Sequence, residues 1–148
     1  MKLKFEIEID AARADVWAAF DEPDNLPRWQ QNLQTVTLLS GQRGHPGAES
    51  EFVYDDGGKT VVLTETITER AAPKFVAGVY STPSTQTLIV NHFEPAGEAA
   101  TRWTSWLNVN FTGFMRLRAL FMIGAIQQRM EDDMARFKLM VETDAASG

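Results

Sequence analysis

The stretch "GFMRLRALFMIGAIQQRMEDDMARFKLMVE", residues 113–142, decides the fold of this chain. It contains no proline, and its apolar side chains recur every three or four residues, which places them along one face of an α-helix. These residues are Leu120, Ile123, Ile126, Met130, Met134, Phe137 and Val141. The other side of the second half is polar, with Gln127, Arg129, Glu131, Asp132, Arg136 and Lys138. The spacing predicts a long amphipathic C-terminal helix, followed by a frayed tail at 143–148.

The chain before this helix has the pattern of antiparallel strands. An alternating strand at 2–9 is followed by helical spacing at 12–21 and by a proline-interrupted stretch at 22–30, so two short helices are expected. Six further strands are predicted between turn-forming glycines and prolines, including a tight "DDGGK" hairpin. They lie near 34–40, 48–56, 61–69, 74–82, 85–94 and 101–111.

These elements predict an α+β fold in which a curved antiparallel seven-stranded sheet wraps around the long C-terminal helix. A sheet of this size has an apolar face to cover, and only the last helix is long enough to cover it. Because a bent sheet cannot contact the helix along its whole length, we expect a binding cavity between the two. The whole chain, 1–148, is expected to form a single domain, since no linker or internal repeat divides it.

Composition argues against several classes of function. The net charge of −6 argues against a nucleic-acid partner, and the absence of cysteine excludes disulfides and thiolate metal sites. No metal or cofactor is expected, because His45 and His92 lack ligand spacing and no phosphate-binding loop is present. No apolar run is long enough for stable membrane insertion, and the first ten residues have a strand pattern rather than that of a signal peptide. The expected location is the cytoplasm.

Several segments resemble a known family. The START-related SRPBCC superfamily, in its polyketide cyclase/dehydrase-like branch, has segments similar to "IDAARADVWAAFDEPDNLPRW" (9–29), "PGAESEFVY" (46–54), "TETITE" (64–69), "FEPAGEAATRWT" (93–104) and "MARFKLMVE" (134–142). This resemblance implies a helix-grip fold, with the two short helices after the first strand. It also implies that the cavity binds an apolar or aromatic small molecule.

Glu65 is the first candidate for chemistry. In "VVLTETITE", residues 61–69, it shares the more apolar face with Leu63 and Ile67, and we expect that face to point inward. Burial would raise the pKa of its carboxyl group and suit it to acid–base chemistry, with an arginine, Tyr80 or water as partner. The structural alternatives are a salt bridge to an arginine at the pocket rim and a bulge that turns Glu65 to solvent.

The polar and aromatic residues of the last two strands are the next candidates. Asn91 offers a neutral donor and acceptor to the cavity if Phe93 on the same face is buried; otherwise it is an edge residue bonded to local backbone. Trp103 and Trp106 lie on opposite faces of their strand, and the face of Trp103 is the better inward candidate because the other carries Arg102.

The remaining predicted contacts are aromatic or flexible apolar side chains, which tolerate varied ligands. The start of the C-terminal helix is expected to form one wall and the gate of the cavity; a membrane-touching role for it is weakened by the acidic net charge. Trp29 resembles the tryptophan that the family places near the cavity mouth. The full set of predicted ligand contacts is Trp29, Phe52, Glu65, Tyr80, Asn91, Trp103, Phe114, Met115, Leu117 and Phe121.

Three functions are compatible with these features. The absence of a catalytic constellation favours a protein that binds a small hydrophobic, ring-containing molecule. The alternative is an enzyme of the cyclase, dehydratase or isomerase type, with Glu65 as acid or base and Asn91 or an arginine polarising a carbonyl. The third is a co-chaperone-type interaction module, although the threonine-rich convex sheet face argues against a large apolar docking patch. A monomer or a small homodimer joined through sheet edges is expected.

Overall fold

The computed structural model describes residues 1–147, except for the side chain of Met115. Seven strands and three α-helices follow one another along these residues. They are β1 (Lys2–Ile9), α1 (Arg13–Asp21), α2 (Leu26–Trp29), β2 (Leu33–Ser40), β3 (Glu49–Asp56), β4 (Lys59–Ala71), β5 (Phe75–Ser81), β6 (Thr85–Pro95), β7 (Thr101–Phe111) and α3 (Ala119–Ser147). Short 3₁₀ helices at Pro23–Asn25 and Gly113–Arg118 precede α2 and α3.

The strands form one antiparallel sheet in the order β1-β7-β6-β5-β4-β3-β2. From β2 to β7 each strand pairs with its neighbour in sequence, and β1 lies beside β7, so β1 and β2 are the two edges. The apolar side of α3 packs with the inward side chains of β6 and β7 in one core. The predicted α+β architecture is therefore confirmed.

The turn between β3 and β4 sets which side chains of these strands point inward. It consists of Gly57 and Gly58, whose φ angles of 60° and 87° lie in the left-handed region that glycine adopts without a Cβ clash. The resulting register places Ser50 of β3 opposite Glu65 of β4. A bulge in β4 lies farther along, between Ile67 and Glu69, so it does not turn Glu65 outward.

An aromatic cluster fills one end of the space between the sheet and α3. Trp103 of β7 lies at its centre, with its ring centroid 5.0 Å from that of Phe137 of α3 and 5.9 Å from that of Phe93 of β6. Phe20 of α1 and Trp29 follow at 5.5 and 5.9 Å, both edge to face with Trp103. Such pairs add to the stabilisation from burial alone. The cluster fixes the two short helices over this end of the core and leaves room along the rest of α3.

Both ends of the predicted C-terminal helix differ from expectation. Residues Gly113–Arg118 form a 3₁₀ helix, and only from Ala119 does the chain become α-helical. The frayed tail is wrong for residues 143–147, because α3 continues to Ser147 and the carboxylate of Asp144 accepts two hydrogen bonds from Arg28, at 3.0 and 2.9 Å. Gly148 lies outside the described residues. None of the described helices is long and apolar enough to cross a membrane.

Candidate functional site

A cavity of about 280 Å³ lies between the sheet and α3, beside the aromatic cluster. Its sheet side is formed by inward side chains of consecutive strands, among them Ile89 and Leu107, which are paired across β6 and β7. Its helix side is formed by Ile126, Met130 and Met134, which recur at the helical repeat. Most of the lining is therefore apolar, and the methionines can adapt to ligands of different shape.

One end of this main cavity is polar. The hydroxyl of Tyr54 donates a 2.7 Å hydrogen bond to Oε1 of Gln30, and the guanidinium of Arg129 lies 4.6 Å from the centre of the Tyr54 ring. Arg129 also donates to the backbone oxygen of Gln31 at 2.9 Å. Its Nε lies 3.8 Å from Oδ2 of Asp133, a carboxylate one helical turn farther along α3. We define this group, Tyr54, Gln30, Arg129 and Asp133, as the polar end.

Asp133 is the unusual member of the polar end, because it is a buried acid. Burial raises the pKa of its carboxyl group to about 6, although a hydrogen bond from the backbone N–H of Gln31 and the positive charges of Arg129 and Arg136 act in the opposite direction. Burial also raises the pKa of Tyr54, so this phenol stays protonated at neutral pH. At neutral pH the polar end therefore presents a protonated phenol and an amide beside a carboxylate and one arginine.

The helical spacing predicts Arg129 on the outer side of the helix, and no sequence pattern singles out Tyr54, Gln30 or Asp133. Arg129 lies at the flank between the inward and outward faces of α3, and its side chain is only 38% exposed. A helical repeat separates opposite faces well but assigns flanking positions poorly. The alternation that places Tyr54 on the same strand face as Phe52 was the available signal for this tyrosine.

A second, smaller cavity of about 110 Å³ adjoins the first and contains Glu65. The two cavities share four residues, which form the wall between them: Phe20, Trp29, Gln30 and Tyr80. Phe52 and Ser50 from β3 contribute to the second cavity, which lies toward the β3–β4 side of the sheet. The predicted inward orientation of Glu65 is therefore observed.

Glu65 lies directly opposite Tyr80, on the neighbouring strand β5. Burial raises the pKa of the Glu65 carboxyl, while a hydrogen bond from the Tyr80 hydroxyl and the positive charge of Arg43 lower it in part. Within the described residues no arginine lies within ion-pair distance of Glu65. Arg70, which lines the same cavity, binds Asp21 instead, with hydrogen bonds of 2.8 and 2.7 Å. The structural alternatives of a rim salt bridge and an outward bulge are thus not observed.

Asn91 and Trp103 are positioned by each other. Phe93 is buried, as the inward assignment of Asn91 required, and Oδ1 of Asn91 accepts a 2.9 Å hydrogen bond from Nε1 of Trp103. Both residues line the main cavity, whereas Trp106 points away from the core and is about half exposed. The carbonyl of Asn91 is therefore already used to hold the tryptophan, and the inward face of β7 is the one that carries Trp103.

Two polar atoms in the wall of the main cavity lack a partner. Nε1 of Trp29 and Oγ of Ser105 are buried and form no hydrogen bond within the part of the chain that the structure describes. A buried donor without a partner costs about 1–3 kcal/mol, so such atoms are rare unless water or a ligand satisfies them. The indole N–H of Trp29 has almost no accessible surface, so it becomes a donor to a ligand only when the side chains around it move apart.

Three of the predicted ligand contacts lie at the surface and not in a cavity. Phe114, Leu117 and Phe121 are between 84% and 89% exposed and do not line either cavity. The first half of the helical region is apolar on nearly every side, so its sequence does not indicate which face is inward; the inward face is set instead by Ile126 and Met130. The side chain of Met115 lies outside the described residues. Trp29, Tyr80, Asn91 and Trp103 line the main cavity, and Phe52 and Glu65 line the smaller one.

The described residues hold no group of three or more histidine, aspartate or glutamate side chains placed to bind a metal. The site has an apolar chamber, a polar end with one arginine, a buried and unpaired indole N–H, and a separate buried carboxyl beside a tyrosine.

Comparison with known proteins identifies similar folds and one sequence family. A sequence model of the family described as "Polyketide cyclase / dehydrase and lipid transport" matches residues 1–142. No curated protein sequence matches the chain. Protein TTHA0849 of Thermus thermophilus superposes with a TM-score of 0.81 at 18% identity over 100% of both chains.

Two further solved structures share the fold. The Zhui aromatase/cyclase of Streptomyces sp. R1128 gives a TM-score of 0.83 at 12% identity, over 96% of this chain and 93% of that one. A conserved protein of Geobacillus kaustophilus gives 0.82 at 12% identity, over 97% and 96%. At such low identities these similarities show the fold alone.

Proposed function

We propose, given that this chain belongs to the polyketide cyclase/dehydrase and lipid transport family, that it binds one small, hydrophobic, ring-containing molecule in the main cavity. The observation that supports this most directly is the cavity itself, an apolar chamber of about 280 Å³ whose lining includes Trp29, a residue with a buried and unpaired indole N–H. A dry apolar cavity of about 150 Å³ is enough to bind benzene, so a chamber of this size fits a ligand of about two fused rings.

The side chains that line the chamber favour a ligand with rings. Trp103 and Trp29 belong to the lining, and aromatic edges and faces contact rings favourably. From α3, Met130 and Met134 supply flexible contacts that adjust to ring substituents.

The polar atoms favour a ligand with a hydrogen-bond acceptor such as a carbonyl. In this proposal a ligand carbonyl accepts the hydrogen bond of Trp29 Nε1, which removes the cost of leaving that donor unpaired. A second oxygen on the ligand would lie near Arg129 at the polar end, where the guanidinium donates to acceptors.

Binding of an environment-sensitive apolar dye, N-phenyl-1-naphthylamine, tests the proposal. The native protein is expected to bind it with a stoichiometry of about 1:1. Ile126→Trp fills the chamber from α3 and is expected to weaken dye binding by at least about tenfold. The matched control is Leu139→Trp, which adds the same side chain to the same helix at an exposed position and should leave binding unchanged. Equal binding by both variants would show that the dye binds elsewhere and would refute the proposal.

A second candidate function, enolisation of a ketone carried on a side arm of the ring system, is favoured by the buried carboxyl of Glu65 beside Tyr80 in the smaller cavity. In this reaction the Glu65 carboxylate removes a proton from the carbon next to the carbonyl. Once Glu65 is protonated, the Tyr80 hydroxyl turns its single proton from the carboxyl group to the enolate oxygen and donates a hydrogen bond there. The proton then returns to carbon from the Glu65 carboxyl. A raised carboxyl pKa suits this base, because its conjugate acid can then return the proton near neutral pH.

Deuterium exchange into 4-phenylbutan-2-one, whose side arm carries the ketone away from the ring, separates the two functions when it is followed by NMR. For an enzyme, Glu65→Gln should lower the protein-catalysed exchange by about 10²–10⁴-fold, since a positioned acid or base contributes that much. For a binder, the native protein should not accelerate exchange, and Glu65→Gln should change dye affinity by less than about tenfold. Exchange that is accelerated equally by native protein and by Glu65→Gln would eliminate Glu65 as the base.

A further inference from the structure

Four large apolar side chains at the start of the C-terminal helical region are almost fully exposed. Phe114, Leu117, Leu120 and Phe121 are 89%, 84%, 81% and 84% exposed. We call these four residues the outer apolar face. Scattered single apolar residues are normal on protein surfaces, but a contiguous group of this kind marks an interaction site.

The outer apolar face lies on the opposite side of the helix from the cavity. Met122, Ile123, Ile126 and Met130 pack against the core, and the last two line the cavity. The helix is thus apolar on both sides, and its outward side has no partner within the described residues. An amphipathic helix needs only one apolar side to cover a sheet, so folding of this chain does not account for the second one.

The charge around the outer apolar face differs from that of the rest of the chain. Residues 113–126 contain two arginines and no acidic residue, whereas the whole chain has a net charge of −6. Arg116 and Arg118 are exposed and alternate with the exposed apolar side chains. Because charges farther away than about 8–10 Å are largely screened at physiological salt, this local positive charge determines which surface the face attracts.

Apolar side chains alternating with arginines fit an anionic lipid surface. Phenylalanine and leucine enter the boundary between headgroups and acyl chains, while arginine contacts the lipid phosphates. A symmetric dimer through the same face would instead bring two sets of arginines together, with like charges opposed across the interface. We therefore propose that the outer apolar face docks this protein peripherally on anionic lipid bilayers. Docking of this kind needs no helix that crosses the membrane, and it goes beyond the proposed ligand binding without depending on it.

The outer apolar face adjoins one end of the main cavity. The segment that carries the face follows β7 directly, and the backbone N–H of Thr112 donates to the oxygen of Ser84 beside the start of β6. Thr85 and Val109, next to this junction, line the main cavity. A docked molecule would therefore place this end of the cavity, and the helix that closes it, close to the bilayer.

Co-sedimentation with vesicles tests the docking. The full-length chain is mixed with vesicles of phosphatidylcholine alone or with about one quarter phosphatidylglycerol, at about 50 and about 500 mM salt. We expect binding to the anionic vesicles, weaker binding at the higher salt, and little binding to phosphatidylcholine alone. Arg116→Gln combined with Arg118→Gln should reduce the affinity for anionic vesicles by about 25-fold, because each arginine near such a surface contributes about fivefold.

Leucine substitutions on α3 provide a matched pair. Leu120→Ser should reduce vesicle binding by about tenfold, whereas Leu139→Ser, at a 67% exposed position outside the face, should leave it unchanged. Phe121→Ser gives a second test within the face. Since all three side chains are exposed, dye binding in the cavity without vesicles should stay native, which separates loss of docking from loss of fold or of ligand binding.

Three results would overturn the proposal. The first is no binding to anionic vesicles at low salt, and the second is equal loss of binding by Leu120→Ser and Leu139→Ser. The third is a dimer in sedimentation equilibrium that Phe121→Ser dissociates, which would show that a second copy covers the outer apolar face.

Discussion

Asp133→Asn should stabilise the protein at neutral pH, although it removes a charge from an ion pair. Asp133 is 7% exposed, and its ionised form is disfavoured by burial, which raises its pKa from 3.8 to about 6. Asparagine has nearly the same shape and can still accept the hydrogen bond from the backbone N–H of Gln31, at present 3.2 Å long. Arg129 keeps its hydrogen bond to the backbone oxygen of Gln31 and is partly solvated, so it does not become a buried unpaired charge.

The sign of the pH dependence follows from the raised pKa. Between about pH 4 and about pH 6 the native state binds a proton at Asp133 more strongly than the unfolded chain does, so its contribution to stability falls as the pH rises through this window. A shift of roughly 2 pKa units corresponds to about 3 kcal/mol, and partial access of solvent reduces this to about 1.5–3 kcal/mol. Asparagine does not titrate, so it should be more stable than aspartate by that amount at about pH 7 and nearly equal to it at about pH 4.

Urea unfolding followed by tryptophan fluorescence measures this difference, with the four tryptophans as probes. Low protein concentration is needed in the acidic range, because the isoelectric point is near 4.9. The control is Glu131→Gln, which removes a carboxylate from an exposed position on the same helix and should change stability by less than about 0.5 kcal/mol. If Asp133→Asn destabilises the protein at neutral pH, Asp133 is held as a favourable anion by Arg129 and the reasoning from burial is wrong.

Three further substitutions test the packing of the site. Trp29→Phe removes the unpaired indole N–H, so the free energy of unfolding should stay within about 1 kcal/mol of the native value. The affinity for a carbonyl-containing ligand, measured by titration calorimetry, should fall by about tenfold. Asn91→Leu takes the acceptor from Trp103 Nε1 and should cost about 1–3 kcal/mol in urea unfolding, whereas a change below about 0.5 kcal/mol would show that this buried hydrogen bond contributes little. Arg70→Gln breaks the two hydrogen bonds to Asp21 that join α1 to β4, so the free energy of unfolding in urea should fall by about 1–2 kcal/mol. The same substitution in a protein that already carries Asp21→Asn should cost much less, because the hydrogen-bonding partner is then already changed.

Strand alternation was a reliable guide to which side chains enter the core. Each strand has only two faces, so one buried residue fixes the inward or outward direction of every other side chain of that strand. In β7, Trp103 faces inward with Leu107 and Val109, and Trp106 faces outward. The same rule correctly pointed Glu65 inward, because the bulge in β4 begins only after Ile67. Element order and helix length were enough to predict the sheet and its covering helix, since no other element is long enough for that role.

The helical residues that enter the site were harder to predict from the sequence than those of the strands. Successive side chains of an α-helix point in directions about 100° apart, so they cover all sides of the helix and not two faces. Arg129 and Asp133 lie at the edge of the apolar face, where a small rotation of the helix about its axis decides whether a side chain meets solvent or the cavity. For Phe114, Leu117 and Phe121 the difficulty is different. The segment is apolar on both sides, and the pattern that assigns an inward face is missing. The pairing of Tyr54 with Gln30 depends on how α2 lies over the sheet, which no local pattern determines.

The wall between the two cavities distinguishes the two candidate functions. A binder needs only the main cavity, where a ring system contacts Trp103 and its carbonyl meets the free N–H of Trp29. An enzyme that uses Glu65 needs the ligand to extend past this wall, because the carboxyl lies in the smaller cavity, beyond Tyr80. A small cyclic ketone fits the first arrangement, whereas only a longer chain fills both cavities at once. If the protein is an enzyme, ligands that carry a side arm of several atoms should therefore gain affinity over the bare ring, and Phe52→Trp, which narrows the smaller cavity, should abolish that gain while leaving binding of the bare ring intact. If the protein is a binder, the side arm brings no such gain and Phe52→Trp leaves both ligands unaffected.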